Sequence, residues 1–250
     1  MKALRGLAFP ALLVALWQIM AWTFGIQSDT LAAPTAILAA LGRALAAPTL
    51  WQDTGDTLAA GGLGLLLGGG LGVAVGLAFG SFAPLSRLMR VTVEILRPLP
   101  AIAIVPIALL IFGFGYAMEI AIVAFATFFP VLILTEAAVR QIEPRLAEVA
   151  RVLRLNPGAR ITKITLPAIL PRLFVALRLA AGIALIVAIT VEIAANPMGL
   201  GARLMLAASS LRPADMFATL FWVGLLGWLL NWAMLRLEAW LFPAGKAVAR

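Results

Sequence analysis

The chain has 250 residues, of which 63% are hydrophobic and only 12% charged, and its mean hydropathy is +1.06. This leaves too little polar surface to coat a soluble globule and marks an integral membrane protein. Cysteine and histidine are absent, which excludes disulfides, thiol nucleophiles, imidazole bases and the usual transition-metal ligand sets; no catalytic residue and no metal site is expected, and the net charge of +8 reads first as a topology signal rather than as a nucleic-acid footprint.

Hydropathy along the chain gives six candidate spans, at about 7–25, 58–80, 95–113, 116–138, 173–194 and 216–242. The expected fold class is all-α, a single polytopic membrane domain over residues 1–250. The first span, from Leu7 to Phe24, follows Lys2 and Arg5. Those charges could open a cleaved signal peptide, but the run is long for one, and Trp17 and Trp22 near its far end suit an interfacial anchor. Either reading leaves the other spans in place.

In the second span Gly64, Gly68, Gly72, Gly76 and Gly80 recur every four residues. The spacing predicts a stripe that lets another helix approach to backbone contact. A packing surface and a surface that slides during transport are both consistent with it. The third and fourth spans hold Pro98, Pro100, Pro106 and Pro130, with Gly113 and Gly115 between them. Proline deletes an intrahelical hydrogen bond, so kinked helices are expected here. A pathway lining is one reading of the kinks, with Pro106, Phe128 and Phe129 as candidates.

Between the fourth and fifth spans lies a basic segment, about 140–172. Leu146, Val149, Ala150 and Leu153 fall on one helical face, while Arg145, Glu148, Arg151 and Arg154 recur on another flank. A short amphipathic helix is expected there. Asn156-Pro157-Gly158 then predicts a turn, followed from about Ala159 by a second short helix carrying Arg160 and Lys163 toward Pro167 and Pro171. Composition leaves two readings open, an interfacial helix pair held by anionic lipid and a docking knob for a soluble partner. Glu192, near the outer end of the fifth span, is the most isolated acid in an apolar setting and would cost roughly 2.5–3.5 kcal/mol at mid-membrane. Substrate contact, pairing with an Arg of another span, and a headgroup-level position are its three readings.

With a cytoplasmic N-terminus, the inside segments collect 16 basic residues, among them Arg87, Arg90, Arg97 and the block from Arg140 to Arg178. The outside loops keep three, Arg43, Arg203 and Arg212, beside Asp29, Asp53, Asp56 and Asp215. The positive-inside rule therefore places both termini, and the 140–172 segment, in the cytoplasm.

That segment resembles the EAA loop of bacterial ABC importer permeases, whose pattern is Glu-Ala-Ala, three residues, Gly, nine residues, Ile, one residue, Leu-Pro. Glu148, Ala150, Ile164, Leu166 and Pro167 fall in register with it. Val149 replaces the second residue and Arg154 the glycine. In the family the glycine ends the first coupling helix; here Gly158 is expected to take over that role and lengthen the helix by about a turn. The likeness runs from about Trp51 to Ser210. "LRPLPAIAIVPIALLIFGFG", "FATFFPVLILTEAAVRQIEPRLAEVARVL" and "LRLAAGIALIVAITVEIAANPMGLG" resemble the nitrate/sulfonate/taurine branch of these permeases. There the fifth span is followed by an acidic residue and a Gly-Leu-Gly turn, matched by Glu192 and Gly199-Leu200-Gly201.

The resemblance implies a type I ABC importer permease in the bacterial inner membrane. Such permeases dimerise, with themselves or with a different permease, seat their coupling helices on two ATPase subunits, and receive substrate from a periplasmic binding protein. The coupling residues it implies are Glu148, Ala150, Arg151, Arg154, Asn156, Pro157, Gly158, Ile164, Leu166 and Pro167. The sequence has no GxxxxGK[ST] phosphate loop, so ATP and Mg are expected on the partner ATPase and no cofactor on this chain. By family analogy the substrate is a small organic or inorganic anion such as a sulfonate, nitrate or carboxylate; Arg203 and Arg212 on the outer side could assist it, or serve, as their position favours, as interfacial anchors. The alternative, a secondary transporter or channel uncoupled from ATP, predicts inverted internal repeats, and the sequence offers no convincing one.

Overall fold

The computed structural model describes residues 2–23 and 31–242. Met1, Asp29, Lys246 and Arg250, and with them both chain ends, lie outside the described residues. Within them the chain forms eleven α-helices and no strand: α1 (Lys2–Thr23), α2 (Pro34–Ala46), α3 (Pro48–Ser81), α4 (Ala83–Leu96), α5 (Val105–Phe112), α6 (Tyr116–Arg140), α7 (Pro144–Val152), α8 (Pro157–Arg160), α9 (Leu166–Ala194), α10 (Gly199–Ser209) and α11 (Pro213–Leu241). A 3₁₀ turn, Ala101–Ile104, precedes α5, and a π-helical segment, Ile161–Thr165, joins α8 to α9.

Proline punctuates this architecture more than it bends it. Pro34, Pro48, Pro84, Pro106, Pro144, Pro157, Pro167 and Pro213 each stand in the first turn of a helix, where a missing N–H costs nothing and the fixed φ already suits the helix. Pro106 is therefore a helix start rather than the expected kink. Pro130 lies inside α6 and Pro171 inside α9.

Three helices make the centre. α3 has 34 residues and α9 has 29, roughly 51 and 44 Å at a rise of about 1.5 Å per residue, each longer than the roughly 30 Å hydrocarbon core. α3 and α6 run side by side in the same direction through the glycine stripe. A Cβ built on Gly72 would lie 2.7 Å from the Phe128 carbonyl oxygen, and one on Gly76 2.7 Å from that of Leu132. Gly64 and Gly80 meet the Val123 and Val139 side chains, and Gly68 meets the Ala124 carbonyl. α9 returns antiparallel and offers a stripe of its own: Ala176, Ala180, Ala184 and Ala188 are all buried, four residues apart, and a Cβ on Gly61 would touch Ala188 at 3.7 Å. Val123, Ala184 and Ala188 share one core cluster. α11 completes the bundle, its Trp222 packed with Leu50 and Leu200.

The expected third span, 95–113, is not one helix. α4 and the Ala101–Phe112 helix meet at an angle of 85°, because Pro98 and Pro100 supply no N–H donors and Pro100 is extended, at φ −63° and ψ 124°. The turn into α6 uses Gly113 and Gly115 at φ 71° and 113°, the left-handed region that glycine enters without a Cβ clash. Four helices of the described residues are long and apolar enough to cross a membrane, or five with the bent pair counted as one, and α1 adds a shorter apolar stretch, Phe9–Thr23. The second short helix expected from about Ala159 is not separate either. Residues Pro157–Ala194 form one helical run of 38 residues, since Pro167 stands in the first turn of α9, where the preceding π-helical segment leaves it no hydrogen bond to break.

α7 and α8 lie at one end of this bundle and α2 and α10 at the other. The α10 end carries Arg43, Arg203 and Arg212 beside Asp53 and Asp215, in ion pairs of 3.1 to 3.9 Å.

Candidate coupling segment, groove and buried acid site

α7 begins at Pro144 and closes in a six-residue turn. The Leu155 N–H donates to the Ala150 carbonyl and the Arg154 N–H to that of Arg151, both at 3.0 Å, the paired bonds of a Schellman cap. The residue that must be left-handed in such a cap is Arg154, at φ 47°. The helix thus ends where the family's glycine would end it, and the expected takeover by Gly158 does not occur. Gly158 instead lies in the first turn of α8, whose N-cap is Asn156: the Ala159 N–H donates to Asn156 Oδ1 at 2.7 Å. The geometry needs one tight reversal after Val152, and Arg154 supplies it before Pro157 restarts the helix.

Of the apolar face expected on α7, only Ala150 is buried, at 3% exposure; Leu146 is half-buried, Val149 is exposed and Leu153 is 61% exposed, and Val152, off that face, is 81% exposed. Glu148, Arg151, Arg154, Asn156, Pro157 and Gly158 are exposed or half-buried as well. Ile164 and Leu166 are half-buried and Pro167 is exposed where the segment enters the bundle. The result is a basic knob with bare apolar side chains on it.

A groove of about 500 Å³ runs along the middle of α6 and α9, lined by Phe125, Phe129, Pro130, Leu134, Leu179 and the Arg97 elbow among others. Phe129 is thus at the groove. Phe128 does not line it; its ring meets that of Phe129 edge-on at 5.0 Å while its carbonyl faces Gly72, because successive residues of a helix point about 100° apart. Pro106 is exposed on α5, outside the groove.

Glu192 does not line this groove. It is 2% exposed, and both oxygens are engaged: Thr57 Oγ1 donates to Oε1 and the Gly201 N–H to Oε2, each at 2.7 Å. Thr57 in turn accepts the Leu200 N–H at 2.9 Å. The carboxylate staples the first turn of α10 to α9 and α3, and no arginine takes part. The Gly-Leu-Gly turn exists for this approach. A Cβ on Gly199 would collide with the Glu192 carboxyl group, and one on Gly201 would lie 2.6 Å from Glu192 Cβ. The sequence reading missed a second acid here. Glu119, also 2% exposed, lies beside Glu192 and accepts a hydrogen bond from Asn196 Nδ2 at 2.6 Å. Among the described residues its Oε1, and the Asn196 Oδ1, have no hydrogen-bond partner. An acid three residues into a span, at the same end as Glu192, was the available signal. A cavity of about 700 Å³ adjoins this cluster, lined by Asp53, Glu192, Asn196 and Arg203 among others; Arg203 is held there by Asp53 and Thr49, both at 3.1 Å.

Residues 68–244 match the family of binding-protein-dependent transport system inner membrane components. The chain belongs to this family. The permease is 31% identical, over 81% of its length and 73% of the relative's, to a Bacillus subtilis protein named as a putative aliphatic sulfonates transport permease, SsuC. It is 31% identical to the bicarbonate transport system permease protein CmpB of Synechococcus elongatus, over 68% of this chain and 62% of that one. The nitrate import permease protein NrtB of Synechococcus elongatus is 26% identical over 95% of this chain and 88% of its own. The permease therefore falls in the nitrate/sulfonate branch. Its fold is that of a chain in an inward-facing structure of the MetNI methionine ABC transporter, with a TM-score of 0.65 over 88% of this chain and 100% of that one, at 21% identity.

Proposed function

We propose that this permease is the membrane subunit of an ATP-driven importer that moves a small anion, of the sulfonate, nitrate or carboxylate class, from periplasm to cytoplasm. The observation that carries the reading is the exposed α7–α8 knob, in which Val152 and Leu153 stand bare between Arg151 and Arg154 at the foot of an unbroken 38-residue helix. An apolar patch ringed by cations is what a groove on a soluble ATPase subunit would cover. The anionic class is taken from the names of the relatives, which share a small oxyanion.

In this mechanism the α7 end faces the cytoplasm, in line with its excess of arginine. Closure of an ATPase pair displaces the knob. The helical run from Pro157 carries that displacement past Leu179, a groove-wall residue, to Glu192 and the α10 turn, so input at one end reaches both the groove and the binding-protein side. The chain does no covalent chemistry; ATP and Mg belong to the ATPase partner, and a second permease copy or a different permease completes the pathway.

Assembly of the purified permease with its ATPase and binding protein in liposomes tests this. The expected result is uptake of radiolabelled nitrate, bicarbonate or an alkanesulfonate only with ATP supplied on the ATPase side. Uptake by the permease alone without ATP would instead establish a secondary transporter or channel.

A further inference from the structure

Arg97 caps the C-terminus of α4, at the elbow where the chain turns by 85° toward α5. Among the described residues it is the one charged residue lining the groove, whose other walls are apolar side chains such as Phe125, Phe129 and Leu179. Arg97 and Ile133 also line a second cleft, of about 280 Å³, between α4 and the end of α6. The carboxylates of that cleft are already engaged. Glu136 pairs with Arg140 at 2.6 Å and accepts from Ser86 at 2.7 Å, and Glu94 pairs with Arg90 at 3.0 Å. Among the described residues Arg97 and Arg87 take part in no ion pair.

Phe125 to Leu134 and Leu179 to Val187 are the central turns of α6 and α9, so the groove lies at the mid-depth of the bundle. Arg97 is exposed at the junction of the groove and the cleft, so its charge is free to meet an anion entering either, and its planar fork of donors matches an oxyanion bidentately. We propose that Arg97 is the anion-recognising residue of the transport groove: it receives the oxyanion head of the substrate while Phe125 and Phe129 cover its apolar part. Arg87, in the adjoining cleft, supplies the next positive charge toward the α7 end. The assignment rests on the reading of the chain as a small-anion permease.

The chain has no cysteine, so a single Leu134→Cys in the groove wall reports the local potential. The probes are an anionic sulfonatoethyl and a cationic trimethylammonioethyl methanethiosulfonate, applied to the assembled transporter in liposomes. Arg97→Gln is expected to lower the anionic-to-cationic rate ratio at the introduced thiol about tenfold, as one charge at close range in a medium of intermediate dielectric would. Arg97→Lys should restore most of it. With the anion identified by uptake, Arg97→Gln should raise KM severalfold, and Arg97→Lys should raise it less. An unchanged rate ratio, or an unchanged KM, overturns the assignment and leaves Arg97 an interfacial anchor. If no anion of the panel is taken up at all, it is the anion reading that fails, while the rate ratio still tests the field of Arg97.

Discussion

Arg154 holds a left-handed backbone in the cap of α7, a conformation that costs a residue with a Cβ about 1–2 kcal/mol relative to glycine. Arg154→Gly is therefore expected to stabilise the α7–α8 turn by about 1 kcal/mol, read as slower amide exchange at Leu155; unchanged or faster exchange would mean that the cap is not formed. Glu192 offers the opposite experiment. Glu192→Ala leaves the buried Gly201 N–H without its acceptor and should cost about 2–3 kcal/mol in a denaturant titration. Glu192→Gln should cost much less, because one amide oxygen can still accept from Gly201 while the amide nitrogen donates to Thr57, whose hydroxyl also reaches the Asp53 carbonyl at 3.0 Å.

The α3–α6 contact is set by backbone approach, so the glycines of α3 are not equivalent. A Cβ on Gly72 meets a backbone carbonyl that cannot move aside, whereas one on Gly70 meets nothing within 4 Å. Gly72→Ala is expected to destabilise by about 1–3 kcal/mol. Gly70→Ala should be neutral or gain up to about 1 kcal/mol from helix propensity. Equal effects of the two in a detergent unfolding titration would show that the helices do not touch there. The α8–α9 run makes a mechanical prediction at the same scale. If it is a lever, Ile164→Gly with Thr165→Gly in the π-helical segment should soften it, lowering transport per ATP hydrolysed severalfold while the ATPase rate survives.

Across the whole molecule, the described aspartates gather at the α10 end while the basic α7–α8 knob and most arginines gather at the other. A Gly158→Cys permease should accordingly react with a membrane-impermeant thiol reagent only in inverted vesicles, and an Ala202→Cys variant, on the wall of the 700 Å³ cavity, only in intact cells. The reverse pattern would invert the topology and remove the basis for import. The large apolar side chains left bare on the outside, such as Leu66, Leu88 and Leu110, are what lipid or a second permease would cover.

The sequence by itself determined the membrane class, the helical content, the glycine stripe and the basic knob. Each is a local or periodic signal: hydropathy over a window, a repeat of four, a proline beside a cap residue. Tertiary structure alone decided which helix lies on the stripe, that the third span breaks, and that Arg154 rather than Gly158 turns the chain. It also decided that Glu192 meets Thr57 across 135 residues and that Glu119 meets Asn196 across 77. Such contacts are fixed by how whole helices pack, where the burial of an entire face outweighs the preference of any one residue, and no short stretch of sequence records its distant partner.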